Sequence, residues 1–279
     1  MARYGFVVDL DRCIGCYNCQ IACKDEHVGN DFSPIAKPQP TFGHFWMGIK
    51  EQERVLSSAR IRVYYYPHMC NQCDDAPCLK AAQGGAVYKR DDGIVIIDPD
   101  KSAGQKQLVD ACPYGAIFWN EQLNIPQKCT FCAHLLDQDW QLPRCVQTCP
   151  TDCLIFGDLD DPESRISKFL TTRQGEELYP QYQTKPRVTF AGLPKPVVSG
   201  IVIKGDNQEG GFEAKVELVG ASGKKRELQA DGFGEFYFND VEPGKGQLTV
   251  NLAGYATVNL EVEVGADVTA LEEIVLPKK

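Results

Sequence analysis

Thirteen cysteines account for most of the chemistry that this chain of 279 residues can perform. Their thiolates are soft metal ligands, and close spacing lets one loop present several of them to one cluster. The first run is spaced C-x2-C-x2-C-x3-C and comprises Cys13, Cys16, Cys19 and Cys23. In this spacing the fourth cysteine ligates a neighbouring cluster. The run therefore predicts two linked iron-sulfur clusters.

A complementary group of cysteines occurs near residue 150. It comprises Cys129, Cys132, Cys145 and Cys149, and Pro150 follows the last of them. Crossed pairing with the first run then supplies four thiolates to each of two cubanes. Cluster 1 would use Cys13, Cys16, Cys19 and Cys149. Cluster 2 would use Cys23, Cys129, Cys132 and Cys145.

The cysteines between these groups predict a third cluster and the loss of a fourth. Cluster 3 would use Cys70, Cys73, Cys78 and Cys112, with Pro113 after the last. A fourth cluster would need cysteines where the chain has Ala82, Ser102, Gln105 and Leu108. All four of these ligands are absent together, whereas the other three sets are complete. This indicates that one site was erased as a unit.

Cys153 is the one cysteine outside the three sets. It follows Cys149 with the same spacing of three residues and could replace it as a ligand. We prefer Cys149, which carries the adjacent proline, and we expect Cys153 to be a small buried apolar residue. The histidines are not expected to be ligands, because the cysteine sets are full; they are His27, His44, His68 and His134.

Composition narrows the class of protein. The 43% hydrophobic content suits an ordinary core and the length allows two domains. A net charge of -9 opposes nucleic-acid binding, and the overlapping short cysteine spacings suit metal chelation better than disulfides. No apolar run approaches the roughly 20 residues that span a bilayer, and the first residues lack the apolar region of a signal peptide. We expect a cytoplasmic protein without membrane insertion, although a partner with its own export signal could carry it across a membrane.

Several elements would position the cysteines. Residues 4–10 predict a strand that leads into the first cysteine loop, and a helix is expected after Cys19. Residues 86–97 predict a hairpin across Asp92-Gly93. Residues 24–69 form a long excursion with strand character at 61–67. Its aromatic segment could face a partner subunit or close a small core, and comprises His44, Phe45, Trp46 and Met47.

The predicted fold class is α+β, with two domains. Residues 1–193 would form tandem ferredoxin-like modules, the second inserted at about 60–125. After the linker Leu193-Pro194-Lys195-Pro196, residues 194–279 alternate apolar and polar residues between Gly, Asn, Asp and Pro turns. This pattern predicts an antiparallel β-sandwich or barrel. The positions of its G-x-F-x-F, P-G and G-Y sequences resemble those of transthyretin-like or carboxypeptidase-regulatory-like domains.

The four cysteine groups, the CTFC of residues 129–132 and the CPTDCLIFGD of residues 149–158 resemble electron-transfer subunits of the dimethyl sulfoxide reductase family. The resemblance covers roughly residues 1–190. It implies a large catalytic partner that carries molybdopterin, no bond chemistry on this chain, and cluster 1 nearest the partner. Members normally carry four cubanes, so this chain departs from them at the fourth. Three clusters with a C-terminal β domain resemble the small subunits of the family's transhydroxylases, which move a hydroxyl group between aromatic substrates.

Two other functions stay open. The chain could serve a molybdopterin oxidoreductase that passes electrons to a soluble carrier near cluster 3. It could also be a structural zinc protein, because C-x2-C pairs bind tetrahedral zinc as well. Dependence of turnover on an external electron carrier would favour the first, and a colourless protein without iron would favour the second.

Overall fold

The computed structural model describes residues 2–57 and 60–279, which divide into two compact units. The first unit contains the chain up to Glu51 and Tyr65–Leu193, and the second contains Gln52–Tyr64 and Pro194–Lys279. No sequence pattern indicated that residues 52–64 belong with the C-terminal unit.

In chain order, the elements are β1 (Tyr4–Asp9), α1 (Asn18–His27), β2 (Met47–Ser57), β3 (Arg60–Met69), α2 (Pro77–Ala81), β4 (Val87–Lys89), β5 (Val95–Ile97), α3 (Gln107–Asp110), β6 (Phe118–Asn120), β7 (Ile125–Gln127), α4 (Ala133–Leu136), α5 (Arg144–Gln147), β8 (Leu154–Asp158), α6 (Arg165–Thr172), a 3-10 turn (Pro180–Tyr182), β9 (Val188–Ala191), β10 (Val197–Lys204), β11 (Lys215–Val219), β12 (Lys225–Gln229), β13 (Glu235–Asn239), β14 (Gly244–Asn251), β15 (Val258–Val264) and β16 (Val268–Leu276).

The central sheet of the first unit has the strand order β8-β1-β9. β1 runs antiparallel to β8 and parallel to β9. Its apolar sequence is buried on both faces: Phe6 packs against Phe131 and Phe156, with ring centroids 4.7 and 5.0 Å away, and Val7 lies in the core cluster with Ile166 of α6. β1 leads into the first cysteine loop and β8 follows the last one, so this sheet holds those loops in place.

Several short elements of the first unit follow their predictions. The hairpin of β4 and β5 is confirmed, with Val87 opposite Ile97, and so are the strand that opens the chain and the helix after Cys19. α6 begins at Arg165, because Ser164 caps it by accepting a hydrogen bond from the Ser167 N–H at 3.2 Å. β2, which pairs with β3, and the hairpin of β6 and β7 were not predicted.

Strands β10 to β16 of the second unit form two separate sheets, with the strand orders β13-β10-β16 and β12-β11-β14-β15. Side chains of both sheets share one hydrophobic core, which includes Val198 and Val202 from one sheet and Leu218, Leu248 and Val250 from the other. Two sheets that share one core form a sandwich, which is one of the two predicted architectures. The expected antiparallel pairing fails at one place, because β10 and β16 are parallel. β16 arrives from β15 of the other sheet, so no hairpin turn forces it to be antiparallel.

No helix in residues 2–57 and 60–279 combines the length and the apolar character that crossing a bilayer requires.

Candidate metal centres

The first predicted cluster site lies where the loop after β1, the start of α1 and the loop before β8 meet. The thiol of Cys19 interacts electrostatically with Cys13, Cys149 and Cys16. Burial raises the pKa of Cys19 to about 12, and the neighbouring thiols act in the same direction. Cys16 is exposed. The structure therefore brings together the four cysteines proposed for cluster 1 and leaves one of them at the surface.

Cys153 lies beside two of these cysteines, Cys13 and Cys149. It is 2% exposed and its thiol hydrogen-bonds with Cys13 and Cys149. These bonds are the largest cause that lowers the pKa of Cys13 to about 7 and that of Cys149 to about 5. The pKa of Cys153 itself is raised by the same bonds. Cys153 is thus buried as expected, but it is a polar neighbour of two proposed ligands as well as a packing residue.

The second predicted site joins α1 to the segment from β7 to α5. Cys145 on α5 interacts electrostatically with Cys132, Cys129 and Cys23. Burial raises the pKa of Cys129 and of Cys132 to about 12, and it raises the pKa values of Cys23 and Cys145 well above the usual range. All four side chains are buried.

The third predicted site is formed by α2, the loop before it and the turn after α3. Cys73 interacts electrostatically with Cys70, Cys112 and Cys78. Burial raises the pKa of Cys73 to about 12 and that of Cys78 to about 11. The Thr184 hydroxyl hydrogen-bonds to the sulfur of Cys73 and opposes the rise in its pKa.

The second group of cysteines adjoins both of the others. Cys19 and Cys23 lie one turn apart on α1, and Cys145 of the second group also interacts with Cys19. On the other side, Cys129 interacts electrostatically with Cys70 of the third group. Groups that lie next to one another in this order could pass an electron from the first through the second to the third.

Nearby backbone N–H groups lower the pKa values of many of these thiols. They act on Cys13, Cys19, Cys23, Cys78, Cys112, Cys129, Cys132 and Cys149. One hydrogen bond joins the Phe131 N–H to the Cys129 sulfur at 3.4 Å. Hydrogen bonds of this kind stabilise negative charge on sulfur and help to set cluster potentials.

Left-handed backbone conformations occur in several of the cysteine loops. Positive φ angles occur at Gly15, Tyr17, Gln72, Phe131 and Cys132. At residue 15 only glycine fits, because a Cβ atom would lie 2.5 Å from the ring of Tyr65. The other positions are strained for residues with a side chain, and such strain is typical of ligand-binding loops.

Comparison with known proteins decides the family. A family model described as "4Fe-4S dicluster domain" matches residues 61–159. The chain is 38% identical over 261 residues, 91% of this chain and 92% of the relative, to the pyrogallol hydroxytransferase small subunit of Pelobacter acidigallici. It is 35% identical over 219 residues, 68% of this chain and 79% of the relative, to a putative dimethyl sulfoxide reductase iron-sulfur subunit of Halobacterium salinarum. It is 34% identical over 202 residues, 72% of this chain and 76% of the relative, to one subunit of the tetrathionate reductase of Salmonella typhimurium.

The chain belongs to the iron-sulfur subunits of the dimethyl sulfoxide reductase family. These subunits are the non-catalytic electron-transfer members of molybdopterin enzyme complexes.

In this iron-sulfur subunit two of the four positions of the expected fourth site are buried, and the other two, Ala82 and Gln105, are partly exposed. Leu108 and Ser102 are 0% exposed. The Gln105 side chain accepts a hydrogen bond from the Gln83 N–H at 3.0 Å and donates to the Gln83 carbonyl at 3.1 Å. Gln105 thus ties its loop to the residue after Ala82, and side-chain contacts join the two loops that a cluster would have joined.

The protein also places charged groups near the cysteines that sequence reasoning did not single out. Glu26 on α1 hydrogen-bonds with His134 and forms an ion pair with Arg144, each at 3.0 Å, and its charge acts on Cys132. Lys128 is 2% exposed and directly precedes Cys129. The one sequence signal for the burial of this charge is its position between apolar residues and a proposed ligand, in Ile125-Pro126-Gln127-Lys128-Cys129.

The donor chemistry of the protein fits cubane clusters. All thirteen cysteines are free thiols, and most are buried among backbone donors. No group of three or more His, Cys, Asp or Glu side chains in the described ranges surrounds a single metal-ion position. Thiolates are the ligands that the irons of a cubane require.

Proposed function

We propose that this chain carries three [4Fe-4S] clusters and forms the electron-transfer subunit of a molybdopterin enzyme of the transhydroxylase type, which moves a hydroxyl group between aromatic substrates such as pyrogallol and phloroglucinol. The clusters supply one-electron transfer when bound. The large partner subunit would hold the molybdopterin and the substrate. The proposed ligands are the three sets of four cysteines described above.

The observation that carries the proposal is the grouping of these cysteines. Each set draws ligands from distant parts of the chain, and in each set one thiol interacts electrostatically with the other three. The four positions of the missing site hold no cysteine. Three complete sets and one empty set support three clusters rather than four.

The transhydroxylase assignment is supported by the relative from Pelobacter acidigallici, which matches 91% of this chain, including most of its C-terminal unit. A shorter series of clusters also suits a reaction that is redox-neutral overall, because such a reaction needs no steady external acceptor. The reductase subunits from Halobacterium and Salmonella favour a second candidate, an oxidoreductase that passes electrons to a soluble carrier.

The surface near the first group supports its placement next to the partner subunit. Cys16 is exposed, and so are Ile14 of the same loop (62%) and Ile21 of α1 (61%). Apolar side chains grouped at a cluster edge would be covered when the catalytic partner binds. The proposal also holds that the two modules of the first unit are ferredoxin-like and that the C-terminal sandwich is transthyretin-like.

Metal analysis tests the proposal. The chain would be purified anaerobically with its native partner, and iron, sulfide and molybdenum would be measured together with spin quantitation of the reduced clusters. About twelve irons per chain and molybdenum in the complex are expected. About sixteen irons would contradict the erased site, and zinc without iron would support the structural zinc alternative.

Turnover separates the two enzymatic candidates. A transhydroxylase continues to turn over when no electron donor or acceptor is added. Strict dependence on an external carrier, with a full complement of clusters, would replace the first candidate by the oxidoreductase.

A further inference from the structure

Lys128 is a buried cation without a carboxylate partner in the described part of the chain. It is 2% exposed. Its ammonium donates to the backbone carbonyls of Val95 and Cys129, the latter at 3.2 Å, and no Asp or Glu among residues 2–57 and 60–279 forms an ion pair with it. An ammonium group that is removed from water without a counter-charge is strongly unfavourable. Some other negative charge must therefore offset it.

The acidic groups on which the charge of Lys128 acts are thiols of proposed cluster ligands. Burial raises the pKa of Cys78 to about 11 and that of Cys129 to about 12, and it also raises the pKa of Cys112. The Lys128 charge acts in the opposite direction on all three. Cys129 belongs to the second group, whereas Cys78 and Cys112 belong to the third. Lys128 therefore acts on two cluster sites at once.

Gln72 holds the same piece of backbone in place. Its side chain donates to the Cys129 carbonyl at 2.8 Å and accepts from the Val95 N–H at 2.7 Å. Gln72 is 0% exposed and lies between Cys70 and Cys73 of the third group. Two buried side chains thus bond to the same two residues, Val95 and Cys129. The ammonium is confined to the junction of the two sites.

We propose that Lys128 is the internal counter-charge of clusters 2 and 3 and that it raises the reduction potentials of both. This inference rests on the proposed assignment of these cysteines to clusters. A cubane held by four thiolates is negatively charged, and reduction adds a further negative charge. A fixed cation in a medium of low dielectric constant stabilises the reduced form more than the oxidised form. Lys128 touches no substrate, so its role in this proposal is to act through its charge on the two clusters.

Redox titration of variants in the assembled enzyme tests this role. Lys128→Met removes the charge, and Lys128→Arg keeps it. Lys168→Met is the matched control, because the Lys168 side chain is 61% exposed and pairs with Glu163 on the surface. The potentials would be followed by the spectra of the separate reduced clusters. We expect Lys128→Met to lower the potentials of clusters 2 and 3, with cluster 1 unchanged, and we expect both other variants to match the unmodified enzyme.

Iron content separates the possible failures. Lys128→Met with full iron and unchanged potentials would overturn the inference and leave the proposed function intact. An unmodified enzyme without three cubanes would instead refute the proposed function. Should Lys128→Met bind less iron, Lys128→Gln is compared with Lys128→Arg: iron kept only by arginine supports a required charge, and iron lost in both shows a merely structural residue.

Discussion

The buried thiol of Cys153 hydrogen-bonds with the sulfur of Cys149, and this bond is the largest cause that lowers the pKa of Cys149 to about 5. The two residues were rivals for one ligand position in the sequence. In the structure they are neighbours, so one can be the ligand while the other donates a hydrogen bond to it. A thiol donor beside a cluster ligand stabilises negative charge on that ligand.

Substitution of each cysteine distinguishes these roles. We expect Cys153→Ala to keep about twelve irons per chain and to lower the potential of cluster 1, because a hydrogen bond to its ligands is lost. Cys149→Ala should lose about four irons. Iron analysis and a redox titration would measure both effects. The reverse result, with iron lost only in Cys153→Ala, would make Cys153 the ligand.

The third site should be removable without the other two. Cys112→Ala takes one thiolate from the third group, in which Cys73 interacts with the other three members. We expect iron to fall from about twelve to about eight per chain, with the spectra of clusters 1 and 2 retained. Loss of the cluster 1 signal in this variant would contradict the proposed grouping.

Leu108 should contribute strongly to stability, because it fills space at the erased site. It is 0% exposed, and we expect Leu108→Ala to lower the free energy of unfolding by about 2–5 kcal/mol. The unfolding midpoint of the loaded complex, followed by loss of cluster absorbance, would measure this. Leu123→Ala is the control, because Leu123 is 43% exposed. Equal midpoints for the two variants would show that the erased site is not tightly packed.

Glu26 should act on cluster 2 with the opposite sign to Lys128. Its side chain is 16% exposed and its charge acts on Cys132. Removal of a negative charge makes an added electron more favourable, so Glu26→Gln should raise the potential of cluster 2. Glu163→Gln is the surface control, with a side chain that is 80% exposed. A redox titration in which Glu26→Gln lowers the potential would exclude this electrostatic account.

Much of the local structure could be predicted because it depends on residues close in sequence. The apolar run of β1, the hairpin of β4 and β5, and α1 after Cys19 all follow from local patterns. β2 was missed because its sequence from Met47 to Ser57 is rich in charged and polar residues. Its strand conformation comes from pairing with β3 rather than from an alternating pattern.

The sequence by itself determined which cysteines could act together, since their spacing within each loop is a property of neighbouring residues. It also predicted that Ala82, Ser102, Gln105 and Leu108 stand where a fourth set would need cysteines. Only the tertiary structure decided what surrounds those sulfurs. The burial of Lys128 between two groups and the parallel pairing of β10 with β16 depend on contacts between residues far apart in sequence. A polar side chain carries no local signal of burial, because its environment is set by the elements that pack around it.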